Sequence, residues 1–238
     1  MTSNQKTIIY STRPFCANQC PFPSFILRHP NSTSFDIMKN GLSEQSLIDW
    51  CIQEFKNPDK LFVDVGAHVG MYALSLAPHF KQVHAFECQR ETYYQLCGGV
   101  ALNAVWNVYP HHVALGDVTK SDVPIYIISE DGGGTSIHTN SSIPHFESQV
   151  TDMKLLDSFK LENVGFIKID AEGSEEQVLR GAIETLKVSN YPPILFECWT
   201  EENHFEKRES LLNFIKNELG YSVKSINYYP HMLLAVKK

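Results

Sequence analysis

From Leu61 onward one unit recurs: a short apolar run, a turn, and a longer stretch with helical periodicity. "LFVDV" leads through "GAHVG" into "MYALSLAPHF", and "VHAFE" (83–87) leads into "RETYYQLCGGVALNA". "VYPHHVAL" (108–115) and the alternating "VPIYIIS" (123–129) read as further strands, separated from the next by the glycine-rich loop "DGGGTSIHTNSS". "NVGFIKID" (163–170) runs into "SEEQVLRGAIETLK", and "PPILFECW" (192–199) into "KRESLLNFIKNEL", which Gly220 ends. Strands that alternate with helices can pair only through crossovers, so the pattern demands a mostly parallel sheet covered on both faces. "YSVKSINYY" and "HMLLAVKK" stand too close for a crossover and are expected to pair antiparallel, with a tight turn at Pro230. The expected class is α/β, with a mostly parallel sheet and an antiparallel C-terminal strand.

Upstream the pattern is broken by Pro14, Pro21, Pro23 and Pro30, and residues 1–42 read as an N-terminal arm packed on a main domain of residues 43–238. That domain is expected to open with a helix over "LSEQSLIDWCIQEF", capped by Ser43 and striped by Leu47, Ile48, Cys51, Ile52 and Phe55. Cys16 and Cys20 offer two ligands, and Pro23 stands where a third cysteine would complete an iron–sulfur motif, so no cluster or zinc site is expected. The cysteines fit reduced thiols in a cytoplasmic protein. No apolar h-region opens the chain and no apolar stretch approaches the ~20 residues of a membrane span. A net charge of −7 argues against general nucleic-acid binding, which needs clustered Lys and Arg.

"VDVGAHVG" places glycine at 66 and 70 after the first strand, but a dinucleotide loop would need glycine at 68 and 71, where His68 and Met71 stand. The pyrophosphate loop is therefore missing. Asp64 lies two before the first glycine and Glu87 ends the second strand, where a carboxylate can hold a ribose diol. A glycine turn and a ribose acid without a pyrophosphate loop point to a nucleoside-type ligand, for which S-adenosylmethionine fits.

"FVDVGAHVGMYAL", "AFECQRETYYQL", "VALGD", "IKIDAEGSEEQVLRGA" and "ILFE" resemble, in order and spacing, the FkbM-type methyltransferase family over about residues 60–200. The resemblance implies a Rossmann-like class I methyltransferase fold with a seven-stranded sheet. It implies S-adenosylmethionine as donor and O-methylation of a sugar, glycan or natural-product hydroxyl. By it, Asp64, Gly66, Ala67, His68 and Gly70 would hold the methionine half and Glu87 with Cys88 the ribose. Asn103 would sit near the cofactor, and Val113 and Ala114 would flank the adenine. The family often has Asn where this chain has His68 and Pro where it has Cys88.

"KIDAEGSEE" (168–176) is where the acceptor chemistry is expected. Ser174 and Gln177 spell a capping box, which makes Glu175 and Glu176 acids of a first helical turn. Glu175 belongs to the family motif and so keeps a claim to a direct role. Lys168 and Asp170 share a side of their strand, and a lysine in an apolar strand must be paired. Lys168 is then either a structural partner of Asp170 or Glu197, or a group that orients the acceptor oxygen and tunes a base. Asp170, with Glu172 and Glu197, lies at the strand ends where open α/β sheets place their sites. The candidate catalytic residues are Asp170, Lys168, Glu172 and Glu197, and Asp170 is also counted among the candidate cofactor-binding residues. Asp170, Glu172 and Glu197 could together take magnesium, though nothing in their spacing demands a metal. His138 and His204 sit in loops that could overhang the site, and the glycines at 132–134 suggest a lid. An RNA or cap ribose 2'-O-methyltransferase and a non-catalytic cofactor-binding module remain as alternatives.

Overall fold

The computed structural model describes residues 6–11, 23–29, 41–42, 44–129, 131–138, 147–200 and 205–237. Strands β1 (Lys6–Ser11) and β2 (Ser24–His29) pair antiparallel as a separate hairpin. Helix α1 (Gln45–Phe55) buries Leu47, Ile48 and Cys51 as its periodicity requires. Its N-cap is Glu44, which makes no side-chain capping bond, and the expected cap Ser43 lies outside the described residues, as do Cys16 and Cys20.

The core units follow: β3 (Asn57–Val65), α2 (Met71–Leu76), β4 (Phe80–Glu87), α3 (Arg90–Asn103) and β5 (Val108–His112). After β6 (Ala114–Leu115), β7 (Lys120–Ile127) and β8 (Glu147–Lys154) come β9 (Val164–Ile169), α4 (Glu175–Arg180), α5 (Ile183–Val188) and β10 (Ile194–Glu197). Helix α6 (Phe205–Asn213) continues as a π turn, and β11 (Tyr221–Ile226) and β12 (Tyr229–Lys237) close the described chain.

Seven strands form one sheet in the order β11-β12-β10-β9-β3-β4-β5. Its neighbours from β10 to β5 run parallel, and β12 is antiparallel to both strands beside it. The expected α/β architecture is therefore present. Alternation along β3 and β9 divides the core between two faces. Val63, Val65, Ile167 and Ile169 pack with Val178, Leu179 and Phe214 on one side. Phe62 and Phe166 pack with Leu47, Ile48 and Leu74 on the other, their rings stacked 5.3 Å apart. Each such fully buried side chain contributes roughly 1.5–3 kcal/mol.

Four details depart from expectation. The strand expected over 108–115 breaks at Val113, and β6 leaves for a second sheet of order β6-β8-β7. Strand β8 was not anticipated, because "ESQVTDMK" is polar and buries only Thr151 and Met153 among its described side chains. The single helix expected after β9 is α4 and α5, interrupted where Gly181 passes so close to Gly116 that a Cβ would overlap its carbonyl oxygen. The closing turn is at Asn227 and Tyr228 rather than Pro230, with Tyr228 at φ 68°. Pro230 sits in β12 before the pairing with β10 begins at Met232, beside a bulge, where its missing N–H costs no ladder bond.

Candidate functional site

The carboxyl ends of β3, β4 and β9 converge on one cavity of about 270 Å³. Gly66, at φ 71°, opens the turn after β3, and a Cβ there would overlap the Asp170 carbonyl oxygen. Only glycine lets these two loops touch. The turn is held from beneath: Gly66 and Ala67 N–H both donate to Phe86 O at 3.0 Å. Glu87 is 6% exposed, and its two oxygens accept the His68 and Gln89 N–H groups, each at 2.8 Å. The same carboxylate faces the cavity, so a ligand diol would meet an acid already fixed in place.

Sheet register sets the second group. Asp64 on β3 stands directly across from Lys168 on β9. Lys168, 4% exposed, reaches Asp170 Oδ2 at 3.2 Å and Asp64 Oδ1 at 3.8 Å, and donates to Gly66 O at 3.1 Å. Its ammonium lies 5.3 Å from the centre of the Tyr72 ring. Burial pulls the Lys168 ammonium down, but Asp170 and Asp64 more than offset it, and the net shift is upward. Burial raises Asp64, fully enclosed, to about 6 against the opposing pull of Lys168.

Asp170, Glu172 and Glu197 each bring an oxygen to one spot, all within 4.8 Å of one another. Three hard oxygen ligands at that spacing could hold a divalent cation. Burial, with Asp170 and Glu175 adding repulsion, raises Glu172 to about 7. Burial followed by Asp170 and Glu172 raises Glu197 to about 10, and its Oε2 is enclosed without a hydrogen-bond partner. Glu172 itself bends backward at φ 50°. Its Oε1 accepts the Gly134 N–H at 3.1 Å and its carbonyl the Ser136 hydroxyl at 2.9 Å, which lays the glycine loop over the cavity. His68 Nε2 holds the same loop at Asp131 O, 2.8 Å away.

The capping box expected at Ser174 is not formed. Ser174 Oγ bonds His138 Nε2 at 3.1 Å instead of the helix. Glu175 takes over, its Oε1 accepting the N–H groups of Ala171 and Gly173 at 3.0 and 3.1 Å. A longer side chain that folds back satisfies the turn before the helix, and Ser174 is left free for His138. Glu176 pairs with Arg180 at 2.8 Å.

Of the residues singled out from sequence, Gly66, Ala67, His68, Glu87 and Cys88 line the cavity, as do Val113, Ala114, Lys168, Asp170 and Glu172. Asp64 lies in contact with Lys168, and Glu197 joins through Asp170. Gly70 instead makes room for α3, since a Cβ would crowd Leu96. Asn103 does not line the cavity and clamps β2, exchanging 2.7 Å bonds with both Ser24 N and Ser24 O. His204 lies outside the described residues. Sequence reading missed Glu44, Met71 and Tyr72 on the cavity wall. The position of Glu44 at the start of α1 was readable, but nothing local says which way that helix points.

The FkbM methyltransferase domain family matches residues 64–223. Methyltransferase 1 of Beauveria bassiana is 27% identical over 163 residues, covering 59% of this chain and 66% of its own. The FkbM methyltransferase structure from Methylobacillus flagellatus superposes with a TM-score of 0.52 at 17% identity, over 75% of this chain and 43% of that one. A Streptococcus mutans protein in complex with SAH superposes with a TM-score of 0.50 at 11% identity, over 80% and 94%. The chain thus spans less than two thirds of the length of the first two.

Proposed function

The chain belongs to the FkbM methyltransferase family, and on that premise we propose that it transfers a methyl group from S-adenosylmethionine to a hydroxyl of a sugar or other small hydroxylated acceptor. The observation that carries this reading is the charge of the cavity. Among the described residues Glu44, Glu87, Asp131, Asp170 and Glu172 line it against one lysine, Lys168. Such a wall repels a pyrophosphate and suits a sulfonium and an ammonium. The Streptococcus mutans protein that binds SAH (S-adenosylhomocysteine) lends the same fold to the same ligand class.

On this reading Glu87 takes the ribose diol, Val113 and Ala114 flank the adenine, and Gly66, Ala67 and His68 pass beneath the methionine half. S-adenosylmethionine supplies a methyl carbon already activated by positive sulfur. The chain's own work is to align the acceptor oxygen and take its proton. On this reading Asp170, held by Lys168, does both, with Glu172 and Glu197 beside it. Residues 43–238 form the catalytic unit, and residues 1–42 an arm tied to it through Ser24 and Asn103. Magnesium at Asp170, Glu172 and Glu197 is compatible with this reading but not implied by it.

Calorimetric titration with SAH and with NAD tests the cofactor assignment. Saturable binding of SAH and none of NAD is expected. Binding of NAD alone would remove it.

A further inference from the structure

The turn at residues 171–174 divides two cavities: Ala171, Glu172 and Ser174 line the first, and Gly173 lines a second of about 330 Å³. The second draws Lys207 and Arg208 from the first turn of α6, with Trp199 beside them. Its wall also carries Glu175, Glu176 and the exposed Glu206. Two of these acids are committed elsewhere, Glu175 to backbone N–H groups and Glu176 to Arg180. Among the described residues Arg208 has no such partner: its Nε is enclosed and makes no hydrogen bond. Lys207 reaches over the dividing turn, its Nζ 3.2 Å from where a Cβ on Gly173 would sit, with His138 Cδ2 at 3.9 Å from the same point. An enclosed guanidinium nitrogen without an acceptor is costly to keep, and the planar fork it belongs to matches carboxylate and phosphate oxygens. The indole of Trp199, 5.4 Å from the His231 ring, adds a flat apolar surface of the kind a sugar ring covers.

We infer that this second cavity receives an anionic group of the methyl acceptor, a carboxylate or a phosphate, held by Arg208 and Lys207 while the hydroxyl reaches Asp170 over Gly173. The acceptor is then an acidic sugar or a comparably charged hydroxylated compound. This inference rests on the methyl-transfer reading above.

Titration of the SAH-loaded protein with glucose, glucuronate and glucose 6-phosphate tests it. At least one anion should bind about tenfold more tightly than glucose, the size of a charge-assisted pair. A gain for glucuronate alone assigns a carboxylate, and for glucose 6-phosphate alone a phosphate. Arg208→Ala combined with Lys207→Ala should abolish the gain and leave SAH affinity unchanged. Arg208→Lys alone should retain only part of it. No gain for either anion over glucose, or a gain that survives in the double variant, overturns the inference. Failure of SAH itself to bind is read separately: it defeats the cofactor assignment, and the same anion titration of the unloaded protein then decides the second cavity.

Discussion

The two ends of the main cavity are built on opposite principles. At the glycine turn the backbone and the ribose acid are committed: Gly66 and Ala67 donate to Phe86, and both oxygens of Glu87 accept backbone N–H groups. At the acidic turn the carboxylates crowd one another, with Glu172 raised to about 7 and Glu197 to about 10, burial being the leading cause in each. Committed groups cannot move, which suits recognition of a fixed ligand. Carboxyls with raised values mark an end where protons are handled, and on the proposed function it is there that Asp170 takes the proton of the acceptor. The two ends meet where Gly66 abuts the Asp170 carbonyl and where Lys168 spans Asp64, Asp170 and Gly66 O.

Breaking that junction should have the largest effect. Gly66→Ala forces a Cβ into the Asp170 carbonyl at a backbone φ of 71°. We expect a loss of about 3 kcal/mol or more in unfolding free energy, from strain and overlap together, together with loss of SAH binding. Chemical denaturation and calorimetry on one preparation would show both, and a variant that keeps its SAH affinity would separate the two ends. Lys168→Met should have an effect of similar size. It strands Asp64 and Asp170 without their cation, and a broken buried pair costs about 3–5 kcal/mol. Part of this should return on acidification, as Asp64 protonates. A thermal midpoint that does not move with the substitution would show that Lys168 is dispensable to the fold.

A smaller effect separates the ends by pH. Glu172 has its folded value raised to about 7, so the folded state holds its proton more tightly than the unfolded chain does. Its contribution to stability is present below the ordinary carboxylate range, about 4.5, and is lost as pH rises through 7. Glu172→Gln should flatten the fall in stability between pH 4.5 and 7 by on the order of 1 kcal/mol, read from denaturant midpoints across that range. An unchanged slope would mean that Glu172 does not carry the titration. The smallest effect belongs to Glu44, on the cavity wall close to Lys168 and Tyr72. If it faces the amino-acid part of the cofactor, Glu44→Gln should weaken SAH about five- to tenfold, the size of one ordinary hydrogen bond. Binding of 5'-methylthioadenosine, which lacks that part, should stay the same. Equal losses for the two ligands would place Glu44 elsewhere.

The same contrast explains what could be read beforehand. The glycine turn was legible because its constraints are local: Gly66 needs its φ, and Glu87 ends an unmistakable apolar strand. The parallel sheet followed from periodicity alone. The acidic turn was legible in composition but not in connection. Ser174 has the sequence of a cap, yet His138, far along the chain, takes its hydroxyl, and Glu175 folds back in its place. Asn103 matched a family position, but its amide is spent on β2, a partner no local pattern announces. Strand β8 hid for a related reason, since it is paired to β7 and β6 with few apolar side chains buried. Contacts between distant segments decide these cases, and a linear pattern does not encode them.

The division of labour itself is tested most directly by measuring SAH affinity and single-turnover methyl transfer in Glu87→Gln and Asp170→Asn side by side. Glu87→Gln should lose about tenfold or more in SAH affinity, the worth of a charged hydrogen bond. Asp170→Asn should bind SAH within about twofold of the parent and lose about a hundredfold in transfer rate, the scale of a removed proton acceptor. Asp170→Asn with full transfer activity, or Glu87→Gln with full SAH affinity, would contradict the account.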